Sequence, residues 1–239
     1  MKVDILAIGI HPDDVELSAG GTLLRHAAEG KTFGILDLSQ GELGTRGTAA
    51  IRAEEAAEAA RLLGASFRKI LDIPDGLFTH TPDNWLKIVS AIRACQPDIV
   101  LCNAIDDRHP DHGRAAKMTA DACFYAGLER IETFDENGAP QAKWRPKFVY
   151  HYIQDKQLTP DFVIDITPFF EQKMQAIMAF KSQFYDPNNT APNTPISGKD
   201  FVDFMEAKMR VFGRPMQAEF AEGFQVTRTP GVRSLFDLV

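Results

Sequence analysis

Residues 3–16, with the sequence VDILAIGIHPDDVE, decide the fold class and place the first polar cluster. Val3 to Ile10 form a nearly continuous apolar run, which is typical of a strand buried on both faces of a parallel sheet. The polar residues of HPDD follow this strand at once. Because ligands of open α/β sheets bind outside the carboxyl ends of the strands, the run predicts a functional cluster at residues 11–14.

Strands and helices alternate through the first half of the chain. Further strands are predicted at Phe33–Leu38, Phe67–Leu71 and Pro97–Asn103, and helices at Ala19–Glu29, Ala49–Leu63, Asn84–Ala94 and His112–Tyr125. This alternation predicts right-handed βαβ units and an α/β fold. We therefore expect a Rossmann-like, mostly parallel sheet with helices on both faces.

The second half of the chain predicts a small C-terminal extension. It contains predicted strands at Phe148–Tyr152 and Phe162–Ile166 and predicted helices at Pro168–Lys181 and Lys199–Phe212. Tyr185–Gly198 is rich in Pro, Asn and Thr, which predicts a lid, a contact arm or a disordered loop. We expect one α/β domain over residues 1–239, with its Rossmann-like part at about 1–130 and the C-terminal strands and helices at about 145–239.

Composition and charge limit the class of function. The chain is 44% hydrophobic and 25% charged, as in ordinary globular proteins. Its formal net charge of −7 disfavours non-specific nucleic-acid binding. The sequence has neither a transmembrane run nor a signal-peptide pattern, so we expect a cytoplasmic protein with no membrane or nucleic-acid partner. The three cysteines form no Cys-x-x-Cys pair, which argues against a disulfide framework.

A second polar cluster, DDRHPDH at residues 106–112, follows the fourth predicted strand. It too lies at the carboxyl end of a strand, so it can face the first cluster. Imidazole nitrogens and carboxylate oxygens are suitable zinc ligands. Either cluster alone could be a strand-to-helix turn with an N-capping Asp. Two His-Pro-Asp turns after two parallel strands favour a shared metal site.

The sequences HPDD at residues 11–14 and HPDH at residues 109–112 resemble the two signatures of the PIG-L/LmbE-like N-deacetylase family. The resemblance extends from Val3 to about Lys181 and includes GGTL at residues 20–23. The run DLSQGELGTRGT at residues 37–48 looks most like the bacillithiol-biosynthesis branch, whose members deacetylate N-acetylglucosaminyl malate. The resemblance therefore implies a hydrolase that removes the acetyl group from an N-acetylglucosaminide.

The resemblance also implies a metal centre. His11, Asp14 and His112 would be the ligands of one Zn²⁺ per chain, and Fe²⁺ is the other ion that suits this set. Three protein ligands leave a fourth position for water, as catalytic zinc requires. Zinc lowers the pKa of bound water towards about 7, so hydroxide is available at neutral pH.

The remaining motif residues would carry the catalytic chemistry. By resemblance, Asp13 is the general base that takes the proton of the attacking water. His109, in its protonated form, would stabilise the oxyanion or protonate the leaving amine, with Asp111 orienting it. The sequence leaves open whether Asp13 or His109 protonates the amine.

Arg52 is the first of four candidate substrate residues. It lies in the first turn of the predicted helix Ala49–Leu63, where a cation opposes the helix dipole by about 0.3–1 kcal/mol. The resemblance assigns such an arginine to the sugar hydroxyls. The alternative is an exposed arginine paired with Glu55 or Glu58.

Three further residues are candidates for the rim of the site. Arg108 could bind the malate carboxylate in bidentate fashion, or form a salt bridge with Asp106 or Asp107. Glu42 and Arg46 lie in the glycine-rich loop after the second strand and could line the pocket.

Other functions remain open from the sequence. A deacetylase of an inositol conjugate or of chitobiose would differ only in rim contacts. A two-metal phosphoesterase would need roughly twice the ligands. A nucleotide-binding Rossmann module would need a Gly-x-Gly-x-x-Gly turn, which is missing after the first strand. The resemblance also implies a homo-oligomer, a trimer or a hexamer, with the Phe-rich C-terminal segment as a contact.

Overall fold

In the computed structural model, which describes residues 1–238, seven strands form one sheet in the order β3-β2-β1-β4-β5-β7-β6. The first five strands along the chain are mutually parallel, and β7 runs antiparallel to both β5 and β6. The strands are β1 Ile5–Gly9, β2 Phe33–Asp37, β3 Arg68–Ile70, β4 Ile99–Cys102, β5 Phe148–Tyr152, β6 Phe162–Asp165 and β7 Ala221–Val226. The expectation of a mostly parallel α/β sheet is confirmed.

Six α-helices accompany these strands within residues 1–238. They are α1 Asp14–Ala28, α2 Ala49–Leu63, α3 Pro82–Cys95, α4 Pro110–Ala126, α5 Phe170–Met178 and α6 Lys199–Gly213. The bounds of α2 agree with those predicted, because Thr48 caps its first turn and Gly64 ends it in the left-handed conformation. None of these helices is both long and apolar enough to cross a lipid bilayer.

Helix α1 begins five residues earlier than predicted. Asp13 is its N-cap, and the carbonyl of Asp13 accepts a hydrogen bond from the N–H of Leu17 at 3.0 Å. The first polar cluster therefore forms the strand-to-helix turn at residues 11–13 together with Asp14, the first residue of α1.

Strand β1 is buried on both faces, as its apolar run predicts. Leu6 and Ile8 pack with residues of α3 and α4, whereas Ile5 and Ala7 pack with residues of α1, α2 and α5. Successive side chains of a strand point to opposite faces, so one strand anchors both helical layers. Helices on both faces of the sheet are thereby confirmed.

The C-terminal part of the chain extends this same sheet. Strand β7, to which the sequence analysis assigns no element, inserts between β5 and β6. Its Glu222 is buried and accepts hydrogen bonds from the N–H groups of Gly21 and Thr22 and from Lys173 Nζ, at 2.9, 2.7 and 2.6 Å. These contacts tie β7 to α1 and α5.

The carboxyl ends of the five parallel strands lie at one edge of the sheet. Each is followed by a loop or helix start that carries polar side chains. These segments are residues 10–13 after β1, 38–48 after β2, 71–76 after β3, 103–109 after β4 and 153–156 after β5. This edge is where a ligand site is expected in such a sheet.

Candidate active site

The carboxylate of Asp14 lies between the imidazoles of His11 and His112. Oδ1 of Asp14 is 3.2 Å from Nε2 of His112, and Oδ2 is 3.9 Å from Nδ1 of His11. The two ring centroids are 5.7 Å apart. Two loops that are distant in the chain thus bring together the three side chains predicted to hold a metal ion.

Each of the two imidazoles is oriented by a carboxylate at its other nitrogen. Nε2 of His11 is 2.9 Å from Asp75 Oδ1 and 3.4 Å from Asp111 Oδ2. Nδ1 of His112 donates to Asp107. A carboxylate at the outer nitrogen fixes the tautomer and orientation of a ligating histidine. Nδ1 of His11 and Nε2 of His112 are therefore the nitrogens that face Asp14.

The Asp14 carboxylate is fixed by three further donors. The side-chain amides of Asn103 and Gln154 donate to it at 2.8 and 2.9 Å, and the backbone N–H of His11 donates at 3.0 Å. Burial opposes ionisation, but His112, His11 and the hydrogen bonds hold the pKa of Asp14 well below its usual range. Asp14 is thus a fixed anion.

Sequence reasoning missed Asp75, Asn103 and Gln154. Asp75 lies in the loop after β3, Asn103 directly follows β4, and Gln154 follows β5. Their position after parallel strands was the available signal. This signal is weak, because no motif surrounds these residues in the sequence.

The surroundings of the two imidazoles favour positive charge. Burial favours neutral rings, yet hydrogen bonds and attraction from Asp111, Asp75 and Asp14 raise the pKa of His11 to about 10. Asp14 and Asp107 likewise raise the pKa of His112 to about 9 against the effect of burial. A site of imidazole nitrogens and carboxylate oxygens with this charge balance fits a divalent cation.

The histidine cluster also contains His109. One potential metal-ligand atom from each of His11, His109 and His112 lies within 4.8 Å of the other two. The same holds for one such atom from each of His11, Asp75 and Asp111. The structure therefore supplies more than one set of converging metal-binding groups. The assignment of His11, Asp14 and His112 as the ligands stays a prediction.

Asp13 lies beside these groups at the floor of a cavity. Its φ of 120° is rare for a non-glycine residue, and it places the carboxylate next to Arg52. Burial raises the pKa of Asp13 to about 7, although the Arg52 guanidinium opposes this shift. A carboxylate that titrates near neutral pH suits proton transfer.

Arg52 is buried and does not pair with Glu55 or Glu58, so that alternative is wrong. Its Nη2 donates to Asp13 Oδ2 at 3.0 Å and to the carbonyl of Pro12 at 2.6 Å. Arg52 therefore holds the Asp13 carboxylate in place. Contact of Arg52 with a sugar hydroxyl stays a prediction, and the residue does line the cavity.

His109 contacts both other histidines of the cluster. Its ring centroid is 4.9 Å from that of His11 and 5.1 Å from that of His112. Burial and these two rings lower the pKa of His109 below its usual value, which favours the neutral ring. The protonated form expected from the sequence stays a prediction. Nδ1 of His109 accepts from the N–H of Asp111 at 3.3 Å, which leaves Nε2 to carry the proton.

Asp111 hydrogen-bonds to the His109 ring through its backbone N–H and not through its carboxylate. The Asp111 carboxylate instead accepts from the N–H of Gly76 at 3.1 Å, pairs with Arg114 and approaches His11. Asp111 therefore orients His109 through its N–H and orients His11 through its carboxylate.

Arg108 lines the cavity and is half exposed. Its guanidinium pairs with Asp155, whereas Asp106 pairs with Lys156 and Asp107 with His112. Both salt-bridge partners that the sequence suggested for Arg108 are therefore wrong. The role of Arg108 in carboxylate binding stays a prediction.

Glu42 and Arg46 do not line the cavity, in contrast to the sequence-based expectation. Oε1 of Glu42 accepts from the N–H of Asp75 at 2.9 Å. Arg46 donates to the carbonyls of Pro192 and Ala191 at 2.6 and 3.0 Å. The structure thus shows both side chains bracing neighbouring loops.

The cavity above the polar cluster has a volume of about 320 Å³. Segment 194–196, from the predicted long loop, forms part of its wall. Helix α6 forms much of the remainder through the side chains Phe201, Phe204, Met205, Lys208, Met209 and Phe212. The Phe-rich C-terminal segment therefore faces the site in this chain. Lys208 is a basic residue of this wall that the sequence analysis did not single out.

Comparison with known proteins bears on this arrangement. Residues 6–123 match the model of the PIG-L family, described as GlcNAc-PI de-N-acetylase. The chain is 29% identical over 190 residues to a diacetylchitobiose deacetylase of Thermococcus kodakarensis, a match that covers 75% of this chain and 70% of the relative. Both polar clusters lie within the region that matches the family model.

Two further relatives match almost the whole chain. A 4-oxalmesaconate hydratase of Pseudomonas putida is 27% identical over 234 residues, covering 90% of this chain and 88% of the relative. The crystal structure of a conserved protein from Thermus thermophilus superposes with a TM-score of 0.84 at 33% identity, covering 98% of each chain.

Proposed function

Because this chain belongs to the PIG-L family and is an N-deacetylase, we propose that it hydrolyses the acetamide of an N-acetylated amino sugar. The observation that carries the proposal is the Asp14 carboxylate between His11 and His112, with Asp13 beside it at the floor of a cavity. The similarity to a diacetylchitobiose deacetylase supports an amino-sugar substrate.

We propose that His11, Asp14 and His112 hold one Zn²⁺ per chain, Fe²⁺ being the alternative ion. When bound, such an ion supplies Lewis-acid polarisation of the acetamide carbonyl and lowers the pKa of a water molecule. The carboxylates Asp75 and Asp107 support this choice, because they hold the two imidazoles with their inner nitrogens towards Asp14.

Asp13, His109 and Arg52 carry the remaining catalytic and positioning roles. Asp13 takes the proton of the water whose oxygen attacks the carbonyl carbon. His109 donates a hydrogen bond from Nε2 to the oxygen that becomes negative. Cleavage of the C–N bond then releases acetate, and the amine nitrogen takes a proton from Asp13 or from His109. Arg52 keeps Asp13 in position throughout.

N-acetylglucosaminyl malate, the intermediate of bacillithiol biosynthesis, is the substrate we propose. Support comes from the resemblance of residues 37–48 to that branch of the family. An inositol conjugate and chitobiose are the alternative N-acetyl sugars. In each of these three substrates the same acetamide would lie at the His and Asp cluster. The substrates differ in the group attached to the sugar, which would contact the residues at the cavity entrance.

An acetate-release assay tests the proposal. The zinc-loaded protein is given N-acetylglucosaminyl malate, N-acetylglucosaminyl inositol, free N-acetylglucosamine and diacetylchitobiose. Asp13→Asn should retain its metal and lose at least about 100-fold in turnover, because it removes the base. Asp72→Asn is the matched control, since Asp72 is exposed and pairs with Lys87. Normal turnover by Asp13→Asn would remove the proposed mechanism.

Hydration is the second candidate reaction. The similarity to the 4-oxalmesaconate hydratase covers 90% of this chain, more than the 75% covered by the deacetylase. Water addition to a carbon–carbon double bond releases no acetate and removes the ultraviolet absorbance of a conjugated substrate. That absorbance change with 4-oxalmesaconate, without acetate release from any member of the sugar panel, would reject the amino-sugar substrate proposed above.

The cytoplasmic location and the assembly as a trimer or hexamer stay predictions, as does the treatment of residues 1–239 as one domain. Light scattering after size-exclusion chromatography would measure the assembly directly.

A further inference from the structure

Lys208 lies in the middle of the apolar face of α6 and lines the cavity. The residue is only 8% exposed. The Nζ atom lies 5.9 Å from the ring centroid of Phe204 and 5.7 Å from that of Phe212. A lysine thus occupies a position where the pattern of the helix calls for an apolar residue.

This cation lacks a direct anionic partner. Among the side chains that the structure describes (residues 1–236 and 238), no carboxylate oxygen lies within 4.0 Å of Lys208 Nζ, and no hydrogen-bond acceptor contacts it. Lys173 provides the contrast, because this other buried lysine pairs with Glu222 at 2.6 Å and also donates to the carbonyls of Glu16 and Leu17. The Lys173 ammonium group thus has hydrogen-bond and ion-pair partners, whereas that of Lys208 faces the cavity without them in the described part of the chain.

An unpaired buried ammonium group is unfavourable for the folded state. Burial lowers the pKa of Lys208 to about 8, and the charges of Asp107 and Asp155 only partly offset this effect. Charged groups held in such surroundings beside a cavity are concentrated at functional sites. A ligand that brings a negative charge would supply the missing partner.

We propose that Lys208 binds an anionic group of the substrate, on the part of the molecule remote from the acetamide. This inference rests on the proposed function, which places the acetamide at the His and Asp cluster of the same cavity. The shared chemistry is that of a carboxylate or a phosphate. Lys208 is the specificity-determining residue that favours such substrates over neutral N-acetyl sugars.

The surroundings of Lys208 strengthen this interaction. The ammonium group lies beside the rings of Phe204 and Phe212 in a largely buried residue, so its attraction for an anion is less screened than at an exposed lysine. Arg108, the other basic residue at the rim, already pairs with Asp155. Among the lysine and arginine side chains that line the cavity in the described part of the chain, Lys208 is consequently the one that a substrate can engage without breaking an ion pair.

A structural role for the lysine makes a different prediction. Lysine stems can cover apolar surface while the ammonium group reaches towards solvent. In that case Lys208→Met, which keeps the length of the stem, would leave substrate preference unchanged. The comparison of a charged with a neutral substrate therefore separates the two roles.

The experiment compares wild type, Lys208→Met and the control Lys199→Met. Lys199 lies on the same helix, is exposed and pairs with Asp203. For each protein, kcat and KM are measured with N-acetylglucosaminyl malate and with diacetylchitobiose. We expect Lys208→Met to reduce the preference for the anionic substrate by about 10- to 100-fold, mainly through KM, and Lys199→Met to leave it unchanged. A preference altered less than twofold in folded Lys208→Met would overturn the inference.

Direct binding separates this inference from the proposed function. Succinate and inorganic phosphate are titrated into each protein by calorimetry, without any turnover. At least tenfold weaker binding of either probe to Lys208→Met supports the anion site, and the better probe identifies carboxylate or phosphate. If Lys208→Met loses anion binding but the wild-type protein releases no acetate from any sugar, the anion site stands and only the proposed function is rejected. Equal binding by wild type and Lys208→Met, or no binding to either, would reject the anion site.

Discussion

Asp75 Oδ1 lies 2.9 Å from Nε2 of His11, while Nδ1 of the same ring faces the Asp14 carboxylate. Asp75 is itself fixed, because its other oxygen accepts from the N–H of Leu43 at 3.0 Å. The loop after β3 therefore sets the orientation of an imidazole that follows β1. This relationship makes Asp75 a positioning residue for the proposed metal ligand.

Replacement of Asp75 should weaken metal binding. Asp75→Ala frees the His11 ring to rotate, and we expect about a 10- to 100-fold rise in the dissociation constant for Zn²⁺. Competition with a chromophoric chelator measures it. Asp72→Ala changes an exposed carboxylate of the same loop and should bind as wild type. Equal affinities in the two variants would show that Asp75 does not support the centre.

Lys208→Met should stabilise the fold at neutral pH. Removal of an unpaired buried cation is expected to raise the free energy of unfolding at pH 7 by about 1–3 kcal/mol. Urea unfolding measures the change. Lys199→Met, on the exposed side of α6, should change it by less than about 0.5 kcal/mol. A less stable Lys208→Met would mean that the ammonium group makes favourable contacts in the free protein.

The same lysine predicts a pH dependence of stability. Its pKa is about 8 in the folded state against 10.5 for an ordinary lysine. Between these values the unfolded chain binds more protons, so the contribution of Lys208 to stability rises with pH from about 8 to 10.5. Asp107 and Asp155 raise this pKa and Lys173 lowers it. The rise should be missing from Lys208→Met in urea unfolding at pH 7, 8, 9 and 10.

Arg46 should act on the segment at residues 185–198 and only indirectly on substrate. Arg46→Ala removes its hydrogen bonds to the carbonyls of Ala191 and Pro192, so amide hydrogens of this segment should exchange faster. Mass spectrometry of exchange measures this effect. Arg61→Ala is the control, since Arg61 is exposed and pairs with Glu58. Unchanged exchange combined with a raised KM would instead indicate direct substrate contact.

Glu222 should be required for the stability of the fold. Glu222→Gln leaves the Lys173 ammonium group buried without its anion, and we expect a loss of about 3–5 kcal/mol in the free energy of unfolding. Chemical denaturation measures it, with Glu222→Asp as a variant that keeps the charge. Glu219→Gln, at an exposed pair with Arg210, should change stability little. A small effect at Glu222 would show that β7 contributes little to the anchoring of α1.

The sequence alone predicted the architecture of the first half and the position of both polar clusters. The apolar run of β1 and the alternation of elements depend on neighbours in the chain, so they are readable locally. Strand β7 escaped prediction because its Glu222 and Gly223 interrupt the apolar pattern. Only packing against α1 and α5 explains a buried carboxylate at that position.

The partners of the charged side chains were decided by the tertiary structure. From the sequence alone, the residue types at 11–14 and 109–112 and their place after parallel strands indicate a metal centre. Three relationships could not be read from the sequence. Arg52 holds Asp13, Arg46 hydrogen-bonds to a distant loop, and Lys208 faces the cavity without an ion-pair partner among the described side chains. Periodicity and strand ends are local properties, whereas ion pairs form between residues that only the packing of sheet and helices brings together.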